Sequence, residues 1–266
     1  MGDQGNNAAG LEDPKDRNFV TALSRGLDLL CCFRPGEVSL SNLDFSERTD
    51  LPKPTISRLT YTLCRLGYLV NDSQSGTYRL GVGVLNLGFG VLSGMDICDR
   101  ASDVLRSLRN SGNSYITAAL GEAHRSDVIY VAVHRSREDV SLSMHVGSRL
   151  PLFRSAIGRA ILVGLAEQDR EIMIKQSAND LGVPASELWD SYAAAQAEYD
   201  KKGYCSGFGD WRADVNGIAV PVRSLNNARV YGLNVGGPSF HVSPEQLERE
   251  YSPQLIEAAN FLSLKP

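Results

Sequence analysis

Residues 51–68 read Leu51-Pro52-Lys53-Pro54-Thr55-Ile56-Ser57-Arg58-Leu59-Thr60-Tyr61-Thr62-Leu63-Cys64-Arg65-Leu66-Gly67-Tyr68. Ile56, Leu59, Leu63 and Leu66 recur at intervals of three and four, which predicts one apolar face on a helix from about Pro54 to Leu66. Prolines at its start are tolerated because first-turn N–H groups lack intrahelical partners, and Gly67 stops it. With that stripe inward, the outward face carries Pro54, Ser57, Arg58, Tyr61 and Arg65, with Lys53 and Thr60 at its edge. Between Leu51 and Asn71 stand Lys53, Arg58 and Arg65 but no Asp or Glu. This acid-free, cationic balance is what phosphates demand, and Arg with Ser, Thr and Tyr hydroxyls suits a helix in a major groove. Lys53, Pro54, Thr55, Ser57, Arg58, Tyr61 and Arg65 are therefore candidate DNA contacts, Arg58 the foremost base reader.

Upstream, Phe19, Val20, Leu23, Leu27 and Leu30 keep helical spacing until Arg34-Pro35-Gly36, which predicts a first helix. A second fits Ser41 to Thr49, with Ser41 as cap, Leu43 and Phe45 as anchors, and a break at Asp50-Leu51-Pro52. Downstream, Tyr68-Leu69-Val70 and Thr77-Tyr78-Arg79-Leu80 flank a polar turn, the pattern of a hairpin. Three helices and a hairpin make a winged helix-turn-helix over 18–82, in which Arg25, Ser73, Gln74 and Arg79 are placed to hold the DNA backbone. Residues 1–17, with Leu11 their one sizeable apolar group, are expected to be a disordered arm. Residues 83–111 read as a helical linker, a rigid connector or dimer contact, weakened by its glycines.

From 112 to 266 extended and helical patterns mix. Tyr115–Leu120, Val128–His134, Ser141–Val146, Gly217–Val222 and Val230–Val235 look like strands; Ala156–Leu165 and Pro244–Leu262 look like helices. The fold class is α+β, without a sequence repeat or heptad array.

The totals exclude several classes. A formal charge of -4 over 266 residues rules out a strongly basic nucleic-acid coat while leaving room for a local positive surface. The longest apolar stretch, Gly81 to Gly94, is cut by Asn86 and Ser93 and falls short of the roughly 18 residues of a membrane span. Met1 to Lys15 lacks a signal peptide's apolar stretch, so a cytoplasmic location is expected. Cys31, Cys32, Cys64, Cys98 and Cys205 form no CxxC, and His124, His134, His145 and His241 make no metal-ligand spacing with them. Gly81-Val82-Gly83-Val84-Leu85-Asn86 lacks the third glycine of a dinucleotide fingerprint. Neither a nucleophile elbow, a phosphate-binding loop nor a carboxylate pair is present, so no catalytic residue, metal or cofactor is expected.

Leu23-Ser24-Arg25-Gly26-Leu27, Leu51 to Leu59, Leu66-Gly67-Tyr68 and Tyr78-Arg79-Leu80-Gly81 resemble the DNA-binding domain of IclR-type regulators, the isocitrate lyase regulator family. Val146 to Leu152, Ser155 to Ala160, Gly203-Tyr204, Gly217 to Val222 and Val235 to Pro238 resemble that family's effector domain, so the likeness runs from Phe19 to Leu262. The resemblance implies a winged helix, a linker helix and a GAF/PAS-like effector-binding domain over 112–266, acting as dimers or dimers of dimers on operator DNA. It implies a regulator, more often a repressor than an activator, answering to a small organic or aromatic acid. Carried over by position, the effector pocket comprises Leu142, Leu150, Ser155, Ala156, Ile157, Val215, Gly217, Asn234 and Gly236, with Asp210 or Asp214 closing it. Gly217 stands where many relatives have Cys, Asn234 at a frequent Ser, and Arg154 at a usually small residue. Two readings compete: an enzyme acting on a small acid in the same pocket, and a ligand-binding module that no longer reads DNA.

Overall fold

The computed structural model describes residues 17–34, 36–138, 144–224 and 229–263. It forms two compact units, Met1–Gly94 and Met95–Pro266. The proposed arm of residues 1–17 lies, Arg17 apart, outside the described residues, as does Leu142.

In the first unit α1 (Thr21–Cys31), α2 (Asn42–Thr49) and α3 (Lys53–Arg65) pack over a sheet in which β3 (Thr77–Leu80) lies between β1 (Leu40–Ser41) and β2 (Leu69–Asp72). Ser41 caps α2 through a reciprocal box with Asp44, satisfying two otherwise orphaned N–H groups. Asp50 closes α2 in a left-handed conformation, φ 55°, and Pro52 then holds the extended backbone that starts α3. Gly67, φ 77°, turns the chain off α3 into β2, a conformation that strains other residues. Leu29, Leu40, Phe45, Ile56, Leu63 and Leu69 form the core.

Three expectations change. Leu23 and Leu27 are exposed on α1 while Gly26 and Leu29 are buried and Leu30 packs half-buried against the core, because this leucine-rich helix is apolar on more than one face and only part of the stripe chosen from spacing faces inward. On α3, Leu66 is exposed past the last turn and Thr60 is buried, its hydroxyl donating to the Ile56 carbonyl, so Thr60 leaves the outward edge. The stretch 83–111 is two helices, α4 (Gly83–Leu92) and α5 (Asp96–Asn110), parted at Ser93–Met95 where Gly94 disfavours helix and Met95 leaves it at ψ 82°. The boundary between the units falls in this break.

The second unit is built on a six-stranded antiparallel sheet, β6 (Arg149–Pro151), β5 (Asp127–His134), β4 (Thr117–His124), β9 (Val230–Pro238), β8 (Val215–Arg223) and β7 (Cys205–Phe208) in spatial order. Every residue from Thr117 to Gly121 is buried, so the sheet is covered on both faces. The face bearing Ala119, Tyr130 and Ala219 receives α6 (Ala156–Gly164), with α7 (Glu167–Leu181) and α8 (Ala185–Lys202) beyond it. The other face is covered by α5 and α10 (Ser252–Ser263), the latter continuing α9 (Pro244–Gln246) through a π turn at Leu247–Tyr251. α6 approaches closely because Gly158 presents only hydrogen to the Leu152 carbonyl, where a Cβ would overlap it. The strand read at Ser141–Val146 falls partly outside the described residues; its remainder, Met144 to Val146, is not strand.

Candidate functional site

α3 presents Lys53, Pro54, Ser57, Arg58, Tyr61 and Arg65 to solvent, with Thr55 half-buried beside them. Ile56, Thr60 and Leu63, buried beneath, fix the helix's rotation and so aim the outer row. The Ser57 hydroxyl donates to the Lys53 carbonyl and that of Thr62 to the Arg58 carbonyl, so the long cationic side chains of Lys53, Arg58 and Arg65 reach furthest from this face. Ser73, Gln74 and Arg79 are exposed on the hairpin, whose turn is held by Asp72 accepting from the Gln74 N–H and the Ser75 hydroxyl. Between α1 and α3 runs a broad groove lined by Arg25, Ser57, Arg58 and Tyr61 together with Leu23, Leu27, Leu66 and Leu87. Of the candidate DNA contacts, Arg25, Thr55, Ser57, Arg58 and Tyr61 line this groove, whereas Lys53, Pro54 and Arg65 on α3 and Ser73, Gln74 and Arg79 on the hairpin lie outside it.

In the second unit a narrow cleft opens between the sheet and the start of α6. Strand alternation selects its floor: Thr117 on β4, Val215 and Gly217 on β8, Asn234 and Gly236 on β9 all point to the α6 face. Its walls are Tyr130, Met144, Leu150, Ile157 and Trp211, a mostly apolar and aromatic lining of the kind small ligands fill. Ser155 caps α6, accepting from the Gly158 N–H and donating to the Pro151 carbonyl. The first two N–H groups of the helix, those of Ala156 and Ile157, are bonded to no described residue. Such a terminus carries partial positive charge and receives anions. Burial pushes the Tyr130 phenol up, so it stays neutral.

Of the pocket residues expected, Leu150, Ser155, Ala156, Ile157, Val215, Gly217, Asn234 and Gly236 line this cleft together. Asp210 and Asp214 do not. Asp210 is exposed and pairs with Arg159 at 2.6 Å, and Asp214 pairs with Arg212, so both carboxylates are already engaged. Arg154, read only as an unusual substitution, lines the cleft and reaches the Asp210 carbonyl at 2.7 Å. Thr117, Tyr130, Met144, Gly207, Trp211 and Asn216 were missed. Tyr130 and Thr117 lie at strand positions whose only signal was alternation; Trp211 and Gly207 had none.

Among the described residues no cluster of His, Cys, Asp and Glu could hold a metal ion, and no helix is long and apolar enough to cross a membrane. Residues 22–73 match the IclR helix-turn-helix domain and residues 89–264 the bacterial transcriptional regulator IclR C-terminal domain. The chain is 32% identical over 239 residues to the HTH-type transcriptional regulator TsaQ1/TsaQ2 of Comamonas testosteroni, covering 89% of this chain and 85% of that protein. It is 37% identical to an IclR family transcriptional regulator from Brucella abortus, with a TM-score of 0.79 over 95% of this chain and 94% of that one. An IclR homologue from Microbacterium hydrocarbonoxydans, solved with 4-hydroxybenzoate, shares the fold at 22% identity and a TM-score of 0.65, over 91% of this chain and 97% of that one. These matches are regulators, and the enzyme reading is set aside. With a helix-turn-helix face in one unit, a lined cleft in the other and both family domains matched in order, the chain belongs to the IclR family of transcriptional regulators.

Proposed function

We propose that the chain is a homodimeric, cytoplasmic repressor of genes for the uptake or breakdown of a small organic acid of the aromatic class. The acid fills the cleft beside Ala156 and alters affinity for operator DNA. The observation that carries this reading is the solvent-facing row Lys53, Ser57, Arg58, Tyr61 and Arg65 on a helix free of acids. Repression is the commoner mode among the regulators that the sequence resembles. The apolar and aromatic lining, the open N–H groups of α6, and the relative solved with 4-hydroxybenzoate all support an aromatic acid. Ligand acts by binding one arrangement of the dimer better than another, since only differential affinity moves such an equilibrium.

A mobility-shift titration with the promoter fragment beside its own gene tests the reading. Wild type is expected to bind, Arg58→Ala to bind weakly, and a cleft-binding acid to change the wild-type affinity. Binding by Arg58→Ala equal to wild type, at several salt concentrations, would overturn the assignment of α3.

A further inference from the structure

α5 turns one long side of the second unit to solvent. Ile97, Ala101, Leu105 and Leu108 are buried against the sheet, which at about 100° per residue sets Asp96, Asp99, Asp103 and Arg106, all exposed, on the opposite side. The charges are sorted along the helix: three acids first, then Arg106 and, half-buried beside it, Arg109. Asp103 pairs with Arg106 at 3.0 Å, whereas Asp96 and Asp99 pair with no cation among the described residues. At the cationic end Arg109 donates to the Arg135 carbonyl at 3.3 Å, which brings Arg135, also exposed, to the same place. Burial, then the cations Arg106 and Arg109, hold the His134 imidazole below its ordinary range, so positive potential collects there.

α10 runs antiparallel beside α5: Arg100 donates to the Leu262 carbonyl at 3.0 Å at one end, and the Tyr251 hydroxyl accepts from the Asn113 N–H at 2.9 Å at the other. Among the described residues α10 adds Phe261, 61% exposed, at the acidic end, and one exposed charge, Glu257. The helix dipole favours acids in the first turn and cations in the last. It does not require the spacing. Asp96 and Asp99 stand three residues apart, as do Arg106 and Arg109. In one antiparallel register of two such helices Asp96 therefore lies opposite the partner's Arg109 and Asp99 opposite the partner's Arg106, and the two-fold axis repeats both pairs. A parallel pairing sets acids against acids, and nucleic acid or an acidic protein meets the carboxylates of Asp96, Asp99 and Asp103. A second copy of the chain is the partner that the pattern fits.

We propose that the outer side of α5, with Phe261 of α10, is a self-docking surface that joins the second units of two copies of this chain, α5 against α5 and antiparallel, through Asp96–Arg109 and Asp99–Arg106 pairs. The Phe261 ring arrives at the cationic end of the other copy, where a guanidinium stacks on it. Fifteen residues make α5 about 22 Å long, so a face two helices wide lies at the low end of interface sizes. The contact is weak and salt loosens it. It is independent of the effector cleft, and it adds to the homodimer proposed above a joint held by charge.

Sedimentation velocity of the full-length protein over a salt series tests this. The largest assembly of the wild type is expected to dissociate as salt rises from about 50 to about 500 mM. Asp99→Arg and Arg106→Asp each set like charges together and are expected to raise the dissociation constant of that assembly about tenfold or more. An equimolar mixture of the two variants is expected to restore it, since each supplies the charge that the other lacks. Melting curves report folding, and Asp96→Arg with Arg109→Asp repeats the exchange at the other pair. A wild-type assembly indifferent to salt, single variants that assemble as the wild type does, or a mixture that behaves as its separate components each overturns the contact and leaves the regulator reading standing.

Discussion

Arg159 Nη1 lies 2.6 Å from Asp210 Oδ2 and donates at 2.8 Å to the Ser206 carbonyl. One guanidinium on α6 therefore ties down both ends of the 206–210 segment, which carries Gly207 over the helix start. Arg154 grips the same segment through the Asp210 carbonyl. Arg159→Ala is expected to cost about 1–2 kcal/mol of stability, since these are charge-assisted bonds on a partly exposed pair. Acid affinity should fall with it. Unchanged melting and unchanged affinity, by calorimetry, would show that the segment holds without this latch.

Two glycines of the cleft make a matched pair. Gly207→Ala places a Cβ 2.9 Å from the Ala156 nitrogen and is expected to lower the affinity for any acid by about tenfold or more, as expected when a charge-assisted hydrogen bond is lost. Gly217→Ala meets nothing nearer than the Val235 carbonyl at 3.4 Å, an ordinary contact, so the fold should tolerate it. It narrows the floor instead, and should weaken ring-sized acids more than two- or three-carbon acids. Equal losses for large and small acids in Gly217→Ala would place the ligand elsewhere.

On α3 the exposed cations Arg58 and Lys53 separate by role. Arg58→Ala is expected to cost about 1–3 kcal/mol of operator affinity and to relax sequence preference, as loss of a base contact does. Lys53→Ala should weaken operator and unrelated DNA alike and reduce the salt slope by about one, as loss of a phosphate contact does. Fluorescence anisotropy against both DNAs over a salt series distinguishes them. Identical profiles for the two variants would remove Arg58 as a base reader.

How far these sites were legible in the sequence follows from how local each signal is. α3 was readable because its stripe and its face lie within thirteen residues of one another. α1 misled, since Leu23, Leu27, Leu29 and Leu30 cover more than one face and spacing alone does not say which leucines enter the core. The cleft was half readable: the α6 start and the β8 and β9 positions came by resemblance. Thr117 enters it only through the pairing of β4 with β9, which sets Thr117 opposite Gly236, and Tyr130 follows because β5 pairs with β4 opposite Gly121. Asp210 was misplaced because its engagement with Arg159 joins positions 51 residues apart, which no window along the sequence displays.

Glu37 gives the first unit a pH signature. Arg48 donates to both of its carboxylate oxygens, at 2.6 and 2.8 Å, and the Arg34 N–H adds a third bond, holding the Glu37 carboxyl down at about 2 from an ordinary 4.5. A depressed carboxylate stabilises the folded state above its unfolded pKa and loses that contribution as pH falls toward its folded pKa. Glu37→Gln should therefore melt below wild type near neutrality, and the gap should close as pH drops from about 4.5 toward about 2. A gap that stays constant over that window would mean the ion pair contributes nothing through its charge.

α4 presents an uncovered apolar surface in the first unit. Leu85 and Phe89 are 72% and 71% exposed, Leu87 and Val91 are more than half exposed, and none of its residues is buried. Exposed leucines of α1, Leu23 and Leu27, share a groove with Leu87, so the apolar surface is continuous across two helices. Water-facing patches of this kind mark association surfaces, and a winged helix gains specificity by presenting two copies to two half-sites. In the homodimer proposed above, this surface is the expected contact with the second copy of the chain. Phe89→Asp and Leu85→Asp are each expected to raise the dimer dissociation constant by roughly tenfold or more in sedimentation experiments, since each buries a charge at an apolar contact. Operator affinity should fall in the same order as dimerisation. A wild-type monomer at concentrations where it binds its operator would sink the idea, and dimers that survive both substitutions would move the contact to the second unit.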